Sequence, residues 1–223
     1  MSLTYSIGYN KLLQRDKWLL KSFLSAARVI EHFKYPEISI GDVLVPRKGA
    51  IEPQNYPTWK FTYLGLEHVE SHSGFLVNYQ EKLGEEIKSR SKIFYAGDML
   101  YGKLRPNLNK IFIADDDFKG GICSNEYFVL KLNENVVRPY FLKFVLSSQY
   151  VLNQIHAFTA GAALPRIHID DFLSIKIPMP PLNEVIEIDQ KFKALLDQIW
   201  KHKYYVDQSA NFLELTFNNL FVN

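Results

Sequence analysis

Residues 182–222 contain neither glycine nor proline. A three-four ladder runs through them at Val185, Ile188, Phe192, Leu195, Ile199, His202, Val206, Ser209, Leu213, Thr216 and Leu220. Eight of these eleven positions are apolar, a heptad seam sustained for about five heptads, which specifies a long helix suited to coiled-coil pairing. At 1.5 Å per residue such a helix reaches roughly 60 Å, longer than a domain of this size can cover. The seam therefore calls for a partner helix, and Val185, Ile188, Phe192, Leu195, Ile199, Val206, Leu213 and Leu220 are the expected dimerisation residues, in a homodimer. Pro178, Pro180 and Pro181 come just before; proline cannot donate to a sheet ladder but is well placed where a helix opens. The expected division is one domain over residues 1–181 and a spacer and dimerisation helix over 182–223.

The rest of the chain has the means to fold. Of 223 residues 47% are hydrophobic and 22% charged, enough apolar material for a core without staples. No uncharged apolar run approaches the roughly 20 residues that span a bilayer. The single cysteine, Cys123, excludes an internal disulfide and any multi-cysteine metal site. The first ten residues lack a basic start followed by an apolar block, so the expected compartment is the reducing cytoplasm.

Leu20, Phe23, Leu24, Ala27 and Ile30 recur at helical spacing behind Asp16, predicting a helix over residues 17–33 that Pro36 ends. Short runs rich in β-branched and aromatic residues then predict strands at 38–45, 61–69, 93–95, 99–104, 109–114, 127–132 and 174–177. The long proline-bearing segment between Val45 and Phe61 has the character of a ligand loop. Helical spacing returns over 139–155, with a break near Ser147 and Ser148. The fold class expected is α+β: a β-rich domain with flanking helices, followed by the long helix.

Net charge is only +2, but its distribution is uneven. Residues 88–110 hold Lys88, Arg90, Lys92, Lys103, Arg105 and Lys110 against Asp98 alone, the footprint expected for phosphate binding. Within this stretch Lys103, Arg105, Asn107 and Asn109 alternate, so an extended chain would put them on one face beside Tyr101. Arg and Asn can bond guanine and adenine bidentately while Lys positions phosphate. Arg47 and Lys48, ahead of Gly49, form a second candidate.

No catalytic or metal-binding constellation accompanies these cations. His68 and His72 lie four apart but in a strand-to-turn context where side chains at that spacing need not converge. Asp115 to Asp117 lack the spacing of a calcium loop, and His168, Asp170 and Asp171 suit a helix start. Glu86-Ile87-Lys88 has no suitably placed upstream Asp. Met179-Pro180-Pro181-Leu182 superficially resembles the motif with which adenine methyltransferases grip a flipped base, yet neither Met nor Leu can accept the amine or stack. Cys123 has the setting of a buried, inert thiol. The chain is therefore expected to be no enzyme, with no metal and no cofactor.

Three blocks together resemble the specificity subunits of type I restriction-modification systems. They are Gly41-Asp42-Val43-Leu44-Val45-Pro46-Arg47-Lys48-Gly49, Gly97-Asp98-Met99-Leu100-Tyr101-Gly102-Lys103-Leu104-Arg105-Pro106-Asn107-Leu108-Asn109-Lys110, and the junction from Leu164-Pro165-Arg166-Ile167 through Ile175-Lys176-Ile177-Pro178-Met179-Pro180-Pro181-Leu182-Asn183-Glu184. Where that family commonly has Glu-Gln in the junction, this chain has Glu184-Val185. The resemblance implies a target recognition domain that reads double-stranded DNA and a helix that docks a methyltransferase subunit, with a restriction (translocase and nuclease) subunit as a further partner. It also implies a half-subunit, since the family's usual chain carries two recognition domains and two helices. Pairing of two copies through the helix would restore the two-domain shape on a symmetric, interrupted target. The rival class is a coiled-coil interaction module whose β domain binds protein, and steep salt dependence of DNA affinity separates the two.

Overall fold

A computed structural model describes residues 33–115, 118, 120–159 and 163–221, with side chains as far as Tyr205. Among the described residues the strands are β1 (Glu37–Ser39), β2 (Leu44–Pro46), β3 (Ala50–Ile51), β4 (Lys60–Phe61), β5 (Tyr63–Leu64), β6 (Lys82–Leu83), β7 (Ser91–Tyr95), β8 (Asp98–Gly102), β9 (Ile111–Ile113), β10 (Gly120–Cys123) and β11 (Tyr127–Leu132). There follow α1 (Pro139–Leu146), α2 (Gln149–Thr159), α3 (Ile169–Ser174), β12 (Lys176–Pro178) and α4 (Leu182–Phe221). The architecture is α+β. The helix expected over 17–33 lies outside the described residues.

The central sheet, in the order β2-β11-β8-β9, is antiparallel throughout. Its strands are apolar at successive positions because both faces are buried, and alternate residues part to opposite sides. Met99, Tyr101, Ile111, Ile113, Phe128 and Leu130 face a core shared with α1, α2 and α3. Leu100, Phe112, Tyr127 and Val129 face a second core. Each fully buried side chain of this size stabilises the fold by about 1.5–3 kcal/mol.

The second core is closed by a sheet in the order β3-β7-β10-β5, which contributes Phe94, Cys123 and Leu64. Strand β10 pairs antiparallel with β7 and parallel with β5, and it is absent from the sequence-based strands because Gly120-Gly121 carry no β-branched or aromatic signal. The glycines serve close packing: a Cβ on Gly121 would lie 2.4 Å from the Thr62 carbonyl oxygen, and Gly120 sits at φ +130°. Strand β1 pairs with the much later β12, with Ile38 opposite Ile177.

The break expected near Ser147 and Ser148 separates α1 from α2. Proline at the start of α1 suits its first turn, but the preceding Arg138 offers no side-chain cap. Asp189 of α4 supplies it instead: its Oδ1 accepts from the Tyr140 and Phe141 backbone N–H groups at 2.7 and 2.9 Å. The negative carboxylate also meets the positive end of the helix dipole.

This contact corrects three of the expected dimerisation residues. Val185 is fully buried in the chain's own core, Ile188 packs against that core, and Phe192 meets Phe144 of α1 with ring centroids 5.2 Å apart. The partner that the seam requires is thus provided within the chain for its first two turns, by α1. Farther along, Phe75 meets Trp200 at 5.1 Å and Lys203 pairs with Glu70 at 2.9 Å. Between these ties Leu195 and Ile199 remain 49% and 45% exposed. Val206, Leu213 and Leu220 lie beyond the described side chains.

Candidate nucleic-acid interface

The stretch after β8 is not extended. β8 ends at Gly102 and a single 3-10 turn, Pro106–Leu108, follows, flanked by Arg105 at φ 48° and Asn109 at φ 47°. Both flanking residues are left-handed, so the alternation of Lys103, Arg105, Asn107 and Asn109 does not give one polar face. Asn tolerates this region through local hydrogen bonding; an Arg there costs on the order of 1 kcal/mol.

Two of the proposed contacts are corrected outright. Tyr101 is 0% exposed on the helical face of the central sheet, its ring 4.4 Å from that of Phe172. It sits in the core because Met99 and Tyr101 share one face of β8. Asn109 is 1% exposed and donates through Nδ2 to Ser147 Oγ at 2.7 Å, fixing the turn to the start of the α1–α2 break. Neither side chain can reach a base.

Most of the other candidates are placed with their charge engaged. Arg47 forms a two-pronged pair with Asp98, Nε to Oδ2 at 2.6 Å and Nη2 to Oδ1 at 2.8 Å, and its guanidinium stacks 4.7 Å from the centre of the Tyr95 ring. Hydrogen bonding to Asp98 raises the Arg47 pKa. Lys110 donates to the Leu66 carbonyl at 2.8 Å. Lys88 donates to the Glu85 carbonyl at 2.8 Å and Arg90 lies 3.7 Å from Glu52, both on the surface. Lys48 is exposed beside Gly49.

The remaining cations come together around the turn at residues 124–126. Lys92 reaches from β7 to donate to the Tyr127 carbonyl at 2.6 Å. The Lys103 backbone N–H donates to the Glu126 carbonyl at 2.8 Å, and its own carbonyl accepts from Ile167 at 3.1 Å. The Arg105 N–H donates to Pro165 at 2.8 Å. Leu104 bridges to Arg166, whose guanidinium grips the Glu126 carboxylate at 3.1 and 3.2 Å. Burial, and then the like charge of Lys103, lower the Lys92 pKa. Arg105 and Asn107 are exposed at the rim. The Glu126 carboxylate offsets part of the repulsion between the two lysines, and an anion placed here would relieve the rest, which is the chemistry expected of a phosphate-binding surface.

Among the described residues no cluster of His, Cys, Asp or Glu is placed to hold a metal. His68 is buried and accepts through Nδ1 from the Gly65 N–H at 3.1 Å. Cys123 is fully buried, and burial pushes its thiol up to about 12. No described helix is long and apolar enough to cross a membrane. A pocket between β9, α1 and α4 is lined by Phe75, Lys143, Asp197 and Trp200, and burial pulls the Lys143 ammonium down to about 8 while it donates to the Ser73 carbonyl at 2.6 Å.

Residues 35–204 match the family described as the type I restriction modification DNA specificity domain. The chain belongs to this family. Among its relatives, the EcoDI specificity subunit of Escherichia coli is 28% identical over 168 residues, 75% of this specificity-domain chain and 35% of the relative. The HindI specificity subunit of Haemophilus influenzae is 25% identical over 182 residues, 74% of this chain and 39% of the relative. The HsdS subunit of Thermoanaerobacter tengcongensis superposes with a TM-score of 0.65 at 26% identity, over 84% of this chain and 49% of that one. The specificity-domain chain thus spans less than half the length of these relatives.

Sequence reasoning on this specificity-domain chain missed Arg166 as a member of the basic surface. It stood within the junction block, but only the bridge to Leu104 carries it there, and no local pattern signals that bridge. The pairing of Asp98 with Arg47 was equally hidden, since the two are 51 residues apart.

Proposed function

We propose that this chain is a DNA-reading specificity component, with no catalytic step of its own, that directs a methyltransferase subunit and a restriction subunit to a target sequence. The observation that carries the reading is the meeting of Lys92, Lys103 and Arg166 around one turn, with Arg105 exposed beside them. Lys103 and Arg166 have the chemistry to anchor phosphates, Lys92 ties β7 to the turn through the Tyr127 carbonyl, and Arg105 with Asn107 have the chemistry to bond base edges. Arg90, whose carbonyl accepts from Asn125 Nδ2 at 2.7 Å, stands beside that turn, and Lys48 and Lys88 are further exposed cations.

The test is reconstitution. The purified chain with DNA, S-adenosylmethionine and Mg²⁺ is expected to give neither methylated bases nor nicks, and addition of its matching methyltransferase subunit is expected to switch on methylation at one defined sequence. Methylation scattered over the DNA, or activity from the chain alone, would overturn the reading.

The proposal includes a coiled-coil homodimer through the later part of α4. Exposed Leu195 and Ile199 support it, being apolar positions of the heptad seam that the chain's own domain leaves uncovered. Light scattering at tens of micromolar is expected to give twice the chain mass, falling to the single mass in a variant carrying Leu195→Asp and Ile199→Asp. A single mass for the unaltered chain would contradict this part of the proposal.

A further inference from the structure

The loop between β3 and β4 carries Tyr56 and Trp59, 38% and 59% exposed. Exposed aromatic rings of this size normally disperse or bury themselves. Here they are gathered: Tyr56 and Trp59 have centroids 4.7 Å apart, and Trp59 and Phe61 6.4 Å.

The backbone beneath them is rigidly held. Pro53–Asn55 form a 3-10 turn, Tyr56 N–H donates to Pro53 at 2.8 Å and Trp59 N–H to Tyr56 at 3.1 Å. The neighbouring segment closes from below, with Gly84 donating to Trp59 at 2.9 Å and Glu85 to Pro57 at 3.2 Å. A side chain at Gly84 would collide with the Tyr56 and Pro53 carbonyls, at 2.2 and 2.4 Å from its Cβ. A backbone already held in this turn has little freedom left to lose on binding.

The platform adjoins the basic surface. Glu52, at the head of the turn, pairs with Arg90; the Arg90 carbonyl accepts from Asn125 Nδ2 at 2.7 Å, and residue 126 is the partner of Arg166 and Lys103. Lys60 follows Trp59 directly and is exposed. Of the three nearby carboxylates, Glu52 pairs with Arg90, Glu86 accepts from the Leu83 N–H at 2.6 Å, and Glu85 is exposed.

We propose that Trp59, backed by Tyr56, is a stacking contact for a base of the bound DNA, inserted at or against a base step while the cations of the 124–126 turn hold the phosphates. The ring supplies a π-face and apolar area, which suit an unstacked or kinked step. This rests on the DNA-reading function proposed above and adds a ligand contact to it.

The probe is a 40-base-pair duplex enriched from a random pool on the immobilised, unaltered chain. Trp59→Ala is expected to weaken binding of that duplex about ten- to hundred-fold, while Trp59→Phe retains most of the affinity. Indole fluorescence is expected to be quenched on binding in the unaltered chain and unquenched in Trp59→Phe, which retains Trp18 and Trp200. Equal affinity and equal quenching in all three proteins, with Lys103→Ala still weakening binding, would overturn the stacking contact and leave DNA reading intact. Failure of any duplex to enrich would overturn both. Loss of self-association with DNA affinity unchanged in Trp59→Ala would assign the rings to a protein contact and overturn the proposal.

Discussion

Replacing Asp98 with Ala is expected to lower stability by about 2–4 kcal/mol, although the residue stands in the middle of the most basic stretch and forms part of the proposed surface's frame rather than its contacts. Its carboxylate is 1% exposed and accepts three hydrogen bonds, two from Arg47 and one from the Tyr95 N–H at 2.9 Å. Removing it strands the guanidinium over the Tyr95 ring and leaves a backbone donor with no acceptor. The Arg47 side chain is 22% exposed, so some solvation is recovered and the loss falls short of a fully buried ion pair. Urea unfolding of the chain measures it. Asp98→Asn keeps the shape and part of the hydrogen bonding and is expected to lose about half as much. Arg47→Ala is expected to behave as a stability variant, with the salt dependence of DNA affinity little changed. A loss below about 0.5 kcal/mol in Asp98→Ala would mean that the pair is peripheral to the fold and would return Arg47 to the list of direct contacts.

The second large effect is on DNA. Alanine at Arg105 is expected to cost roughly 1–3 kcal/mol of binding and to relax preference at one position of the target, as for a bidentate contact to a base. Alanine at Lys103, or at Arg166, whose side chain stays 46% exposed beside Glu126, is expected to weaken all sequences alike and to lower the slope of log affinity against log salt by about one for each phosphate lost. Combining Lys103→Ala, Arg105→Ala and Arg166→Ala brings the losses together at one site, where they need not add. Lys110→Ala is the contrast: its ammonium is already given to the Leu66 carbonyl, so the expected change is in unfolding and not in binding. If Lys110→Ala weakened DNA binding as much as Lys103→Ala, with folding intact, the division between framework and contact cations drawn from the geometry would be wrong.

Much of the fold was legible because it follows from local pattern. The apolar run at 127–132 coincides with β11, and the serine pair at 147–148 divides two helices as the periodicity indicates. The long helix opens after Pro181 because proline and an uninterrupted helical segment meet there. What local pattern could not carry was pairing at a distance. Nothing in the heptad seam tells that α1, some fifty residues earlier, takes up Val185 and Phe192 and borrows Asp189 as its cap. In the basic stretch, charge was readable but direction was not. Two left-handed residues, Arg105 and Asn109, turn a run that looks extended into a knot of backbone in which one Asn is buried and one Arg displayed. The same stretch also hid which cations were spoken for, since the acceptors of Arg47, Lys92 and Lys110 are set by tertiary packing.

The most direct test compares the affinity of the purified chain for its selected duplex with that for a scrambled duplex of equal length, each at 50 and 200 mM salt. The expected result is binding to the selected duplex at least ~1,000-fold tighter, with both affinities falling steeply as salt rises. Equal affinity for the two duplexes, or binding insensitive to salt, would contradict the account of this surface as a sequence-specific reader of DNA.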